Sequence, residues 1–341
     1  MMKIKQKLFS EIYQDCYVKH DKVVSVEKLI QFCFDSFDGI TEPTCLLLIG
    51  DSGLGKSLIA KEFHKKYPDY DLKLKDVVNT VKPIVRFSLP SNAKRYEAIR
   101  AFLREIGDPR WDSGDSFDLK NDRLIHYLVN ICKTQLIFID EFHHLTQSFS
   151  TSQVVNTGEW LKLLIKETNI PIVGLGMPWA QRIQTTNKQI GSIFTMVEEL
   201  FPFRIDNTGD LDTYCGFLNT VAIRAGKRHS IKSECLVNPE VLLPLFIASE
   251  GSPKLLMKLI ANAFCLSDRK ELKLIDFNKA FRFVFASSKN NPFVSNYKEL
   301  SAHQVESNPY LDLSRKQIMQ PSVKIINIRD VFNLGRSEGF W

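Results

Sequence analysis

Two short stretches carry residue types whose spacing can do chemistry on a phosphate ester. In GDSGLGKS, the residues Gly50, Asp51, Ser52, Gly53, Leu54, Gly55, Lys56 and Ser57 follow the order G-x-x-x-x-G-K-[ST]. Glycines let the backbone wrap close round phosphate oxygens, so successive N–H groups and the N-terminus of the following helix face negative charge. Lys56 then reaches the β- and γ-phosphates of a nucleotide, and the Ser57 hydroxyl holds Mg²⁺. The second stretch is LIFIDEFHHL (136–145), in which an apolar run delivers Asp140 to a strand end, opposite Ser57 in the magnesium shell. Glu141 follows directly, placed to polarise a water for attack on the γ-phosphate, which favours hydrolysis over transfer to a small acceptor. His143 and His144 have no spaced metal-ligand partners and read as structural or surface residues.

A third feature lies far along the chain. Gly251-Ser252-Pro253-Lys254 opens a helix and puts the Lys254 cation where it can touch the γ-phosphate across a domain boundary, a lid closing on nucleotide being the mechanical consequence. The alternative is an ordinary first-turn lysine.

These residues require a scaffold of buried strands. TCLLLIG (44–50), PIVRFSL (83–89), QLIFID (135–140) and IPIVGLG (170–176) are short apolar runs, and FPFRID (201–206) reads as a fifth strand. Helical patterns over 56–66, 93–106, 121–132, 153–168 and 178–186 alternate with them. The expected fold is α/β: an open, mostly parallel sheet with right-handed crossovers. Two helical patterns precede it within 3–38, and only helical patterns follow over 210–286. The chain therefore divides into a helical lead-in (1–40), a P-loop ATPase domain (41–208), an all-helical lid (209–286) and a tail (287–341). The tail is expected to be irregular, with VKIINIRDVF (323–332) as a short strand or helix. Its Phe293, Tyr297, Tyr310, Leu311, Leu313, Phe332 and Phe340 are too apolar for a solvated segment. They suit either a partner-binding peptide or packing back onto the lid.

Bulk properties narrow the class. With 341 residues and 44% hydrophobic content the chain can bury a substantial core. A net charge of +6 is too mild to mark a nucleic-acid binder by itself, but the positive excess is concentrated over 61–110. The absence of a long apolar run or a signal-like start predicts a soluble, cytoplasmic protein with no membrane partner. Cys16, Cys33, Cys45, Cys132, Cys215, Cys235 and Cys265 are scattered without a CxxC pair, as reduced core residues rather than a metal site.

The phosphate loop, the DEFHHL strand end, IPIVGLGMPWA, ASEGSPKLLMKLI and the helical lid together resemble the AAA+ ATPases of the TniB and TnsC type, target-selection regulators of DNA transposition. The likeness covers roughly 10–286, and YVKHDKVVSVEKLIQFCFDSF resembles that family's helical lead-in. The compact size looks most like the TnsC proteins of CRISPR-associated transposons. The resemblance implies ATP and Mg²⁺ as cofactors and a homo-oligomer, ring or filament, assembled round double-stranded DNA. It also implies partners: transposase or endonuclease subunits and a target-selection factor. It further implies DNA contacts from 89–105, where Lys94, Arg95, Arg100 and Arg104 would hold phosphates without reading sequence; Tyr96 reads as packing. Two departures stand out. Met177 occupies a place where relatives commonly carry Thr, and 189–194 lack the usual Arg-Phe, leaving Arg182 or Lys188 as trans-acting cations or else slow hydrolysis. Competing readings are a replication initiator or helicase loader, and a signalling NTPase switch without DNA binding.

Overall fold

The computed structural model describes residues 2–341 apart from 15–16, 74, 76–77, 92–93, 146–150, 187, 268–269, 289, 313–314 and 316, and without the side chains of 2–5, 14, 151–154, 157, 185–190 and 311. Cys16, Leu313 and the side chains of Lys188 and Leu311 thus lie outside the described residues.

Helices α1 (Met2–Gln14) and α2 (Asp21–Asp35) lead into β1 (Leu46–Gly50), whose five residues are all buried. Helix α3 (Lys56–His64) follows, then a hairpin of β2 (Tyr70–Lys73) and β3 (Val78–Val81). Next come β4 (Ile84–Ser88), α4 (Arg95–Ile106) and α5 (Phe117–His126), the last continuing as a π-helical turn over Tyr127–Ile131. Strand β5 (Leu136–Asp140), α6 (Thr151–Thr168), β6 (Ile172–Gly176), α7 (Arg182–Thr186), α8 (Lys188–Ile193) and β7 (Met196–Leu200) complete the α/β part. The sheet runs β4-β5-β6-β1-β7 with every pairing parallel, so the carboxyl ends of β1, β5 and β6 open on one edge. Two apolar layers cover it. Val26, Ile30 and Phe63 of α2 and α3 pack on one face; Phe102, Leu124 and Leu161 of α4, α5 and α6 pack on the other.

The fifth strand is Met196–Leu200, not 201–206. It lies at the sheet edge with Met196 to Glu199 half-buried, so its sequence shows two glutamates instead of a continuous apolar run. FPFRID cannot pair there: Pro202 lacks an N–H, and the Phe203 N–H donates to the Gly251 carbonyl at 2.9 Å. Phe203 and Ile205 bury in the lid instead.

The lid is helical: α9 (Thr208–His229), α10 (Pro239–Ser249), α11 (Pro253–Leu266) and α12 (Leu274–Val284) share one core, and Ile12 of α1 joins it. The tail is more ordered than its polar sequence suggests. Strand β8 (Ser301–Ser307) pairs antiparallel with β11 (Ser322–Asn327), flanking a small hairpin of β9 (Tyr310–Asp312) and β10 (Gln317–Met319), and α13 (Ile328–Ser337) follows. Phe293, Ala302, Ile326, Ile328 and Val331 bury in the lid core, with Tyr297, Phe332 and Phe340 packed against it, while Tyr310 is exposed. Burial raises the thiol pKa of Cys33, Cys45, Cys132, Cys215 and Cys235, keeping these cysteines protonated and inert. Among the described residues no helix is long and apolar enough to cross a membrane.

Candidate functional site

The loop after β1 ends at Gly55, the N-cap of α3, so the helix N-terminus faces the open sheet edge. Lys56 folds over the loop and donates from Nζ to the carbonyls of Gly50 at 2.6 Å and Asp51 at 2.9 Å. Burial pushes its ammonium pKa down, against the charges of Asp140, Asp51 and Glu141. Gly53 has φ +87°, and a Cβ there would lie 2.9 Å from the Lys254 Cβ. The lid meets the loop at this point: the Lys254 N–H donates to the Gly53 carbonyl at 3.2 Å.

Strand β5 brings Asp140 to the same edge, in register with Ser88 of β4. The Glu141 N–H donates to Asp140 Oδ1 at 2.8 Å. Glu141 itself has φ +55°, a left-handed conformation that costs a non-glycine residue energy. Its exposed side chain has His143 Nε2 3.4 Å from Oε2.

A cavity of about 760 Å³ joins these groups. Ser52 to Ile59, Asp140, Glu141, His143, Met177 and Lys254 line it. Tyr13, Tyr17, Val18 and Val23 of the lead-in, Phe203 of the strand-to-lid connection and Phe217 of α9 line it as well. Such a volume, part apolar with convergent polar groups, suits a nucleotide-sized ligand. A smaller cavity of about 230 Å³ adjoins Ser57 and Asp140 and is lined also by Arg86, Ser88 and Glu105. A hydroxyl and a carboxylate sharing this space are the hard oxygen donors that suit Mg²⁺.

Sequence reasoning missed several of these residues. Arg86 and Ser88 sit in a strand without a motif, and only pairing with β5 brings them beside Asp140. The aromatic lining comes from α1, the segment before α2, the segment after β7 and α9, so no local spacing announces it. His143 is 9% exposed and lines the cavity, so it is more than a surface residue. His144 has Nδ1 3.1 Å from the Leu89 carbonyl.

The remaining candidates lie elsewhere. Arg182 opens α7 and is 8% exposed, so it is not presented to a neighbouring molecule in this conformation. Lys188 opens α8. Lys94 and Arg95 are exposed at the start of α4, Arg95 lying over the Phe117 ring at 4.4 Å. Arg100 is already matched by carboxylates, Glu97 at 3.0 Å and Asp112, whereas Arg104 is exposed beside Trp111. Tyr96 packs, its hydroxyl donating to the Asp115 carbonyl at 3.0 Å.

A parallel sheet in this order, a phosphate loop after β1, an acidic pair after β5 and a helical lid define the class: this is the AAA+ P-loop ATPase fold. Solved structures agree. The chain is similar to the ORC2 protein of Aeropyrum pernix in ADPNP and ADP complexes, at 13% identity and a TM-score of 0.56 over 80% of this chain and 69% of that one. It is similar also to Cdc6p from Pyrobaculum aerophilum, at 15% identity and a TM-score of 0.56 over 79% and 69%. A third similar structure is the A. pernix ORC1 protein in complex with DNA, at 13% identity and a TM-score of 0.53 over 78% and 66%. No curated protein matches the chain in sequence. The family described as Bacterial TniB protein matches residues 9–203, more than half of the chain. The chain belongs to the TniB family, and so stands with the AAA+ regulators of transposition.

Proposed function

We propose that this TniB protein binds ATP with Mg²⁺ in the large cavity, hydrolyses it slowly, and assembles in the nucleotide-bound state on double-stranded DNA to recruit or activate a transposase. The observation that carries the reading is the convergence of the phosphate loop, Asp140, Glu141 and Lys254 on one cavity that Tyr13, Tyr17, Phe203 and Phe217 also line. The loop amides and Lys56 hold the β- and γ-phosphates, while the aromatic side chains take the base. Ser57 and Asp140 would hold Mg²⁺, which would supply positive charge to offset that of the phosphates. Glu141 orients and deprotonates the attacking water. Lys254, bonded through its backbone to the loop, ties lid position to the γ-phosphate.

Lys94, Arg95 and Arg104 are the cations on α4 free enough to meet DNA phosphates; Arg100 contributes less because two carboxylates neutralise it. Lys188 remains the candidate for a trans-acting cation. Transposase or endonuclease subunits and a target-selection factor, as in CRISPR-associated transposons, are the partner classes. Electron microscopy with a non-hydrolysable ATP analogue, with and without random-sequence duplex, tests the reading. Rings or filaments that need both ligands and disappear in a Lys94→Ala/Arg95→Ala variant are expected. Nucleotide-bound monomers indifferent to DNA would replace it with the signalling switch.

A further inference from the structure

We propose that His143 is a positioning residue for the Glu141 carboxylate, holding one oxygen so that the other faces the cavity. The inference rests on the reading of Glu141 as the base of hydrolysis. Glu141 needs such a restraint because it follows the strand end in a left-handed turn, and its side chain is 49% exposed. Left to rotate, a carboxylate spends little time in line with a water, and a misplacement of about 1 Å costs roughly 100-fold in rate.

His143 is fixed on the sides that matter. The 3-10 turn Phe142–Leu145 carries it and packs so tightly on the end of β6 that a Cβ at Gly176 would lie 3.2 Å from its backbone nitrogen. The imidazole meets the Trp179 ring edge-on, with centroids 5.6 Å apart and planes at 88°. Trp179, itself 9% exposed, belongs to the turn that follows β6. Two strand ends thus clamp one imidazole, and its Nε2 stands 3.4 Å from Glu141 Oε2. A small rotation of the carboxylate closes that gap to a hydrogen bond.

The electrostatics suit a donor rather than an ion pair. Burial, helped by the charges of His144 and Lys56, pushes the His143 pKa down to about 4, so the ring is neutral near pH 7. A neutral imidazole donating Nε2–H orders the carboxylate without neutralising it, and the glutamate keeps its basicity. Met177, the cavity-lining residue immediately after β6, offers only a thioether, a weak acceptor. His143 is the side chain on this side of the cavity with a nitrogen 3.4 Å from a Glu141 carboxylate oxygen among the described residues.

Steady-state ATPase assays and titration of a fluorescent ATP analogue on the full chain test the proposal. In His143→Ala, kcat is expected to fall about 10- to 100-fold, with KM and analogue affinity within about 2-fold of the parent. His143→Asn and His143→Gln, which retain an N–H donor, should recover part of the loss. Placed on Glu141→Gln, His143→Ala should add no further loss, since the two act as one unit. An unchanged kcat, equal losses in kcat and analogue affinity, or additive losses on Glu141→Gln would overturn the role. Parent turnover no faster than that of Glu141→Gln would overturn the hydrolytic reading itself, and this role with it.

Discussion

Lys56 donates to two carbonyls of its own loop, which the proposed nucleotide binding would exchange for phosphate oxygens. Charge-assisted hydrogen bonds contribute about 1.5–3 kcal/mol, so Lys56→Ala should weaken nucleotide binding by roughly 10- to 100-fold, read by analogue titration. Glu141→Gln should spare binding and lower turnover by about 10²- to 10⁴-fold, read as phosphate release. On α4 the expectation separates neighbours. Lys94→Ala should reduce the slope of log affinity for duplex against log salt by about 1, and Arg100→Ala by clearly less, because Glu97 and Asp112 already neutralise that guanidinium. At this scale the sequence was most legible where chemistry forces a local string, as from Gly50 to Ser57. His143 was not legible, because its role depends on Trp179 arriving from a different strand end.

At the scale of elements, the buried strands could be read because burial on both faces demands an unbroken apolar run, as in LLLIG. Edge strand β7 and the exposed β2–β3 hairpin obey no such demand, and neither was anticipated. The β8–β11 pairing depends on residues from opposite ends of the tail, a relation that local periodicity cannot carry. The connection from β7 to the lid makes its own prediction. Gly251 has φ +73°, and a Cβ there would stand 2.2 Å from the Phe203 carbonyl oxygen. Gly251→Ala should therefore cost about 1–3 kcal/mol from backbone strain alone, with displacement of the Phe203 segment added to it, seen as a lower midpoint in thermal or urea unfolding.

Over the whole molecule, the lead-in is bound to the α/β part through Glu27 of α2. Its carboxylate accepts from Lys19 at 2.8 Å, from Lys66 beyond α3 at 3.1 Å and from the Tyr17 hydroxyl. Burial raises the Glu27 pKa, but these hydrogen bonds outweigh it and hold the value down, from 4.5 to about 2. A depressed carboxylate stabilises the fold fully above its unfolded value, and that contribution is lost as pH falls from 4.5 towards 2. Glu27→Gln should thus be less stable than the parent at pH 7, with the difference shrinking over that window, as urea unfolding at several pH values would measure.

The tail reaches back to the strand-to-lid connection with buried amides. Gln304, fully buried, accepts from the Ile205 N–H at 2.9 Å, and Asn308 donates to the Leu200 carbonyl and to Glu199, both at 3.0 Å. Lys324 joins Asp206 at 3.1 Å. The segment so held, 199–206, includes Phe203, which lines the large cavity and bonds to Gly251 just before Lys254. A chain of contacts thus runs from the tail to the lining of that cavity. Whatever lifts the tail from this connection and loosens the ligand must, by reciprocity, be bound less tightly when the ligand is in place, and by the same factor.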